Sequence, residues 1–188
     1  MMIDVINIIE TELKQTFDEL FKWFNIDNEL LHYAPDNKGW SIRKILEHVS
    51  LTNHYLLMFI SKGSKKALER SKKEDFSGIL VDYDLDWERM KIIGQHRSFE
   101  WSRPDHMQPR GKMPVAAIRH ELEQQLKQCR THLLTLQHGE GVLHKTMMSV
   151  NNLGKIDVYH YIYFLVQHAQ RHITQMELVE IEFNLGVG

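Results

Sequence analysis

Apolar residues recur at three- and four-residue steps in four long stretches of the chain. Over residues 3–24, Ile6, Ile9, Leu13, Phe17, Leu20 and Phe24 fall on one face, which predicts an amphipathic helix with a single core stripe. Asn25 to Asn28 marks its end, and the polar, proline-containing stretch Tyr33 to Gly39 reads as a loop. A second helix is expected to open at Ser41, whose hydroxyl can accept a first-turn N–H, with Trp40 packing beside the entry. It carries Ile42, Ile45, Val49, Leu56 and Phe59 and is expected to stop near Ser61-Lys62-Gly63.

Residues 64–112 lack so clear a period. Segments 64–73 and 86–99 each suit a short helix, separated by an acidic stretch with Asp82, Asp84 and Asp86 and followed by an irregular run from Trp101 to Lys112. This region reads as a crossover excursion. Pro114 suits the first turn of a third helix, where its missing N–H costs nothing. The stripe of that helix is Ile118, Leu122, Leu126 or Gln125, Cys129, Leu133 and Leu136, and Gly139 ends it. After a second connection over 140–156, a fourth helix opens near Asp157, an N-cap or first-turn acid, and runs to about Phe183. Its inward line is Tyr161, Leu165, His168, His172, Gln175 or Met176, Val179 and Phe183.

Four long amphipathic helices with longer connections after the second and third predict an all-α four-helix bundle. The 188 residues carry no internal repeat and no linker, so residues 1–188 are read as one domain, large enough to bury a core without disulfides. The single cysteine, Cys129, excludes an intrachain disulfide framework and a cysteine-rich zinc site. With 23 basic and 25 acidic residues the net charge is −2, which supplies no field for a phosphate backbone beyond a short patch at Lys65, Lys66, Lys72 and Lys73. No nucleic-acid partner is expected. No run approaches the ~20 apolar residues of a membrane span, and the start lacks the marks of a signal peptide, so a cytoplasmic protein with no membrane partner is expected. Exposed apolar residues such as Trp23, Ile60 or Trp87 are where a dimer surface could form.

Histidine is the unusual residue in this composition. There are 12 copies and no histidine-rich tract, so position matters more than number. His168 and His172 are four apart on the fourth helix, which places their Cβ atoms about 5–6 Å apart on the apolar line. His48 points toward the bundle interior from the second helix and is the natural third ligand. Three neutral imidazoles form the kind of donor set found in open zinc sites, and nickel accepts the same nitrogens. A metal with an open position could activate water, polarise a carbonyl or hold a thiol as thiolate. The same spacing also fits core histidines hydrogen-bonded to other side chains. Around these residues, Glu121 and Gln175 are expected to have the better chance of facing inward as supports, while Glu47 points about 100° away from His48 and is expected to be exposed. Arg171 reads first as a solvated side chain, and could otherwise meet an anionic substrate at the rim. His160 and His120 are weaker site residues, Tyr161 and Tyr55 are aromatic residues before they are chemical ones, and His54, His96, His106, His132, His138 and His144 read as exposed or loop residues.

The segments GWSIRKILEHVSLTNHYLL, PVAAIRHELEQQLKQCRTHLLTL and VYHYIYFLVQHAQRHITQMELVEI together resemble the DinB-like, or YfiT-like, family of metal-dependent enzymes, in order over nearly the whole chain. A tryptophan-serine pair opening the second helix, a following histidine, and a histidine-x-x-x-histidine pair on the last helix match at Trp40, Ser41, His48, His168 and His172, and Arg171 fits the commonest form of that pattern. The resemblance implies an up-down-down-up bundle with a long crossover between the second and third helices. It implies a divalent ion, nickel or zinc, on the three histidines, and commonly a homodimer. It implies, by analogy, a transferase that activates a low-molecular-weight thiol of the bacillithiol or mycothiol type for attack on a small electrophilic substrate. A hydrolase using metal-bound water and a non-catalytic metal-binding stress protein are the alternatives.

Overall fold

The computed structural model describes residues 2–36, 39–100 and 104–186. In chain order its helices are α1 (Met2–Lys22), α2 (Asn28–His32), α3 (Ile42–Ser71), α4 (Ser77–Val81), α5 (Trp87–Gly94), α6 (Val115–Thr135) and α7 (Val158–Gly186). A two-stranded antiparallel hairpin, β1 (Thr146–Met148) with β2 (Gly154–Ile156), interrupts the last connection, Thr146 lying opposite Ile156. The fold is all-α in character, and its four long helices are the four periodic stretches. α1 and α3 each pack chiefly against α6 and α7, and α5 from the excursion lies on α7. None of the helices is long and apolar enough to cross a membrane, among the described residues.

α7 is the central member. Every residue from Val158 to Ala169 except His160 is buried, so this helix presents core on nearly all sides rather than along one line. Of the alternatives left by periodicity, Met176 is buried and Gln175 half-buried, and on α6 Gln125 takes the buried position while Leu126 is half-buried. Gln125 is accommodated because its amide donates to the Ser50 carbonyl, 2.9 Å away.

Several boundaries differ from expectation for identifiable reasons. α3 does not stop at Gly63 but continues to Ser71, absorbing the short helix expected at 64–73. Gly63 is a packing glycine: a Cβ there would stand 3.0 Å from Val158 Cγ2, where the start of α7 leans on α3. The helix expected over 86–99 is confined to α5, opened by Asp86, which sits in the left-handed region with φ 52° and accepts the Arg89 N–H. Pro114 stands just outside α6 rather than in its first turn. α7 reaches Gly186, three residues past the expected end. Trp23 and Ile60 are buried, and Trp87 is half-buried with its ring edge-on to Tyr163, so they do not form the exposed surface suggested for them. Residues 101–103 of the irregular run and the final Gly188 lie outside the described residues.

The connection after α6 is held rigidly. Gly139 turns it at φ 96°, and the Tyr159 hydroxyl, fully buried, donates to the Leu136 carbonyl and accepts from the Gly141 N–H at 3.2 Å. A Cβ on Gly141 would fall 2.6 Å from the Tyr159 ring, and that ring is bonded at its far end and cannot swing away. Gly141→Ala is expected to cost about 1–3 kcal/mol, lowering Tm by roughly 2–4 °C per kcal/mol in a chain of this size. Gly78→Ala, in helix α4 with nothing within 4 Å, should leave Tm unlowered. Thermal unfolding of the two variants checks the contrast.

Candidate metal centre and its cavity

His48 lies in the second turn of α3, a helix capped by Ser41, whose Oγ accepts from the Lys44 N–H at 3.5 Å. His168 and His172 lie one turn apart in the middle of α7. Because α3 and α7 are packed neighbours, the three rings meet: centroids are 5.2 Å apart for His48 and His168, 4.7 Å for His48 and His172, and 4.5 Å for His168 and His172. One nitrogen from each lies within 4.8 Å of the others, and all three residues are buried. The Nε2 atoms of His168 and His172 are 3.1 Å apart. Nitrogens sharing a tetrahedral ion at Zn–N distances of 2.0–2.1 Å stand about 3.3 Å from each other, so the donor set fits a divalent ion with small ring movements.

The rings are aimed from outside the cluster. His48 Nδ1–H donates to the Met107 carbonyl at 2.7 Å, and His172 Nδ1–H donates to Gln175 Oε1 at 2.8 Å, which leaves Nε2 of each ring turned inward. Trp40 covers His48, their centroids 4.8 Å apart. Burial first, then the neighbouring His172, His48 and Arg171, hold the pKa of His168 well below the ordinary imidazole range. It is therefore neutral, the form that binds a metal.

Met107 belongs to a 3-10 turn, Asp105–Met107, in the excursion, and the strap that follows it is clamped by α3. The Arg43 guanidinium donates to the carbonyls of Gly111 and Met113, the latter at 2.7 Å, and Glu47 Oε2 accepts from the Gly111 N–H at 2.7 Å. Glu47 is thus buried and not exposed as expected, because the strap passes over its face of the helix. Gly111 itself takes φ 66°, the left-handed region that suits glycine.

A cavity of about 320 Å³ opens onto His48 and His168. Its walls are mainly apolar, with Leu56, Phe59, Met147, Met148, Tyr161 and Phe164 prominent, and Tyr55 and His106 face each other across 4.3 Å between ring centroids. Tyr161 lies in this wall, stacked on Phe59 at 5.7 Å, with its hydroxyl donating to the Met147 carbonyl. Gln175 reaches the cluster. Glu121 does not: it is exposed on α6, in a separate surface depression with His54, Gln125 and Gln128. His160 is turned away, its Nδ1–H donating at 2.9 Å to Asp157, which also takes the Tyr83 hydroxyl at 3.2 Å. Two helical turns, about 12 Å along the axis, separate it from His168. The Arg171 guanidinium faces the excursion rather than the cavity, donating to the Gln95 carbonyl and to Ser98 Oγ and covering the Phe99 ring at 5.2 Å. His120 is exposed on α6. Cys129 is fully buried and its thiol is pushed up to about 12, which makes it inert as a nucleophile. Two participants had no sequence signal of their own. His106 and Met107 sit in a short turn inside the run from Trp101 to Lys112 that reads as irregular.

Wild-type protein is expected to take up one divalent ion per chain. Gln175→Ala should weaken that affinity by about 10- to 100-fold while leaving the far-ultraviolet circular dichroism unchanged; titration with zinc against a chelating dye measures it. Protonation gives a second expectation. Below about pH 6.5 an imidazole in the unfolded chain takes a proton, and buried His168 refuses it, so the unfolded state binds more protons as pH falls. The Tm of metal-free protein should accordingly drop by several degrees between pH 7.5 and 5.5, and His168→Gln should flatten that slope.

No curated protein and no solved structure matches the chain at a significant level. The family model of the DinB superfamily matches residues 12–176, a span that takes in α3 and α6 whole, part of α1 and α7, and all three converging histidines. With most of its length matched, the chain belongs to the DinB superfamily.

Proposed function

We propose that this protein is a divalent-metal-dependent transferase that joins a low-molecular-weight thiol to a small electrophile. The observation that carries the reading is the placement of three buried, inward-turned imidazoles at the inner wall of a mainly apolar cavity, a site shaped for a guest and not only for an ion. His48, His168 and His172 would hold nickel or zinc. Bound there, the ion would lower the pKa of a coordinating thiol and fix its direction of approach.

The chain's own residues do the rest. Met107 and Gln175 hold the outer imidazole nitrogens, so the ligand rings need only small movements when the site fills. The buried Tyr161 and Phe164 would limit water around the acceptor, which favours sulfur attack over hydrolysis. A C–S bond forms as the acceptor's C–Cl bond breaks to release chloride, the thiol proton passing to solvent, or as an epoxide's C–O bond opens, its oxygen keeping the electron pair and taking up a proton. Cys129 supplies no competing nucleophile. The resemblance to the family further supports a cytoplasmic homodimer acting on small molecules.

Metal-loaded protein is expected to conjugate chlorinated or epoxide acceptors only when a thiol is present. His48→Ala, His168→Ala and His172→Ala should each lower the rate by at least about 100-fold. Turnover without thiol would replace the reading by hydrolysis. No turnover with any thiol and acceptor pair, together with a Tm that depends on metal, would leave a structural metal protein.

A further inference from the structure

Thr52 stands four residues after His48 on α3, so its side chain falls on the same face of the helix, one turn or about 6 Å further along the axis. It lines the same cavity as His48 and His168. Along this cavity α7 runs antiparallel to α3: His48 meets His168 at one end, and Phe59 stacks on Tyr161 at the other. Phe164, four residues before His168, therefore lies at the level of Thr52. One turn from the imidazoles the cavity is bounded by Thr52 from one helix and Phe164 from the other.

The Thr52 hydroxyl has no hydrogen-bond partner among the described residues, although all but 4% of the residue's surface is buried. Other helical hydroxyls in this molecule meet the same need locally. Thr11, Ser64, Thr131 and Thr135 each donate to the carbonyl four residues earlier, at 2.7–2.9 Å. Thr52 does not take the His48 carbonyl in this way. A buried hydroxyl left unpaired destabilises the folded chain, where a methyl group of the same shape would not. A molecule held in the cavity can supply the missing partner. The oxygen itself is enclosed, and a turn about the Cα–Cβ bond, between the two staggered positions open to a helical threonine, exchanges it with the methyl group without moving the backbone.

We infer that Thr52 donates a hydrogen bond to an oxygen on the acceptor, and that the cavity accordingly takes an epoxide in preference to a chlorinated hydrocarbon of the same shape. As sulfur bonds to one epoxide carbon, that carbon's bond to oxygen breaks and the oxygen keeps the electron pair. The Thr52 O–H is placed to stabilise the charge developing there until a proton arrives from solvent. Mainly apolar walls make such a donor count for more than it would in water. A carbon-bound chlorine is a poor hydrogen-bond acceptor and gains little from the same hydroxyl. For the reaction the inference rests on the thiol-transfer reading; the donor belongs to the cavity and is tested without thiol or turnover.

Acetophenone and ethylbenzene share a carbon skeleton and differ by one carbonyl oxygen. Their affinities for zinc-loaded protein without thiol are read by NMR of the ligand. Thr52→Val, which keeps the shape of the side chain, is expected to reduce the preference for acetophenone about three- to tenfold and to raise Tm by a few degrees. Thr52→Ser, which keeps the hydroxyl, is expected to keep the preference. Any contact between the carbonyl and zinc is common to all three proteins and cancels. With thiol present, Thr52→Val should lower the rate with styrene oxide relative to that with benzyl chloride by a similar factor. An unchanged preference in Thr52→Val, or no binding of either ligand to wild-type protein, overturns the assignment. A lowered Tm also overturns it, because the hydroxyl would then be paired within the fold. If the preference falls as expected and no protein transfers a thiol, the donor stands and the transfer reading fails. If transfer proceeds and the preference is unchanged, the transfer reading stands and Thr52 has no part in it.

Discussion

Three imidazoles taken out of water need partners for their nitrogens, and meeting that need organises much of this molecule. A buried imidazole without hydrogen bonds costs several kcal/mol, yet α7 brings two of them to the centre of the bundle and α3 adds a third. The outer nitrogens of His48 and His172 are taken by the Met107 carbonyl and Gln175. The inner nitrogens then face one another, those of His168 and His172 3.1 Å apart, an arrangement that could hold an ion. Supporting those partners is what the crossover does. Arg43 and Glu47 hold the strap at Gly111 and Met113, and the strap holds Met107 over His48.

Seen this way, the excursion between α3 and α6 is part of the site. One part, around His106 and Met107, supplies a carbonyl for a ligand ring and a rim for the apolar cavity. Another, around His96 and Arg97, is fastened by Arg171 and walls a separate cavity beside Trp40 and Gln175. Arg171 therefore acts through the chain it holds. A guanidinium bound to a backbone carbonyl and packed over an aromatic ring is a structural clamp, and its position between two ligand histidines couples the order of the excursion to that of the centre.

The opposite end of α7 shows the same economy with a different outcome. Asp157 is fully buried, and its carboxylate accepts the His160 backbone N–H, the His160 ring and the Tyr83 hydroxyl. This cluster starts the helix and ties the excursion to it, and it presents no open face to a ligand. Histidine on a buried helix is thus used twice, once as a cap partner and once in a group that could hold a metal ion. What separates the uses is whether a neighbouring carboxylate already takes the ring.

Much of this was legible from the chain alone. The four long helices follow from apolar spacing, because a 3.6-residue period leaves a stripe that only another element can cover. The His168 and His172 pair follows from the same geometry, since residues four apart on a helix are neighbours whatever the tertiary context. Tertiary contact decided the rest. Gly63 reads locally as a stop and serves instead as a contact point for Val158, a distinction that depends on a residue 95 positions away. Glu47 reads as solvent-facing and is buried under a strap whose path no local pattern records. Glu121 and Gln175 were equally plausible supports, and only the assembled bundle puts Gln175 against a ligand ring and leaves Glu121 in water. Periodicity determines which face of a helix is covered; what covers it, and so which polar groups find partners, is settled only when the helices and their connections close around one another.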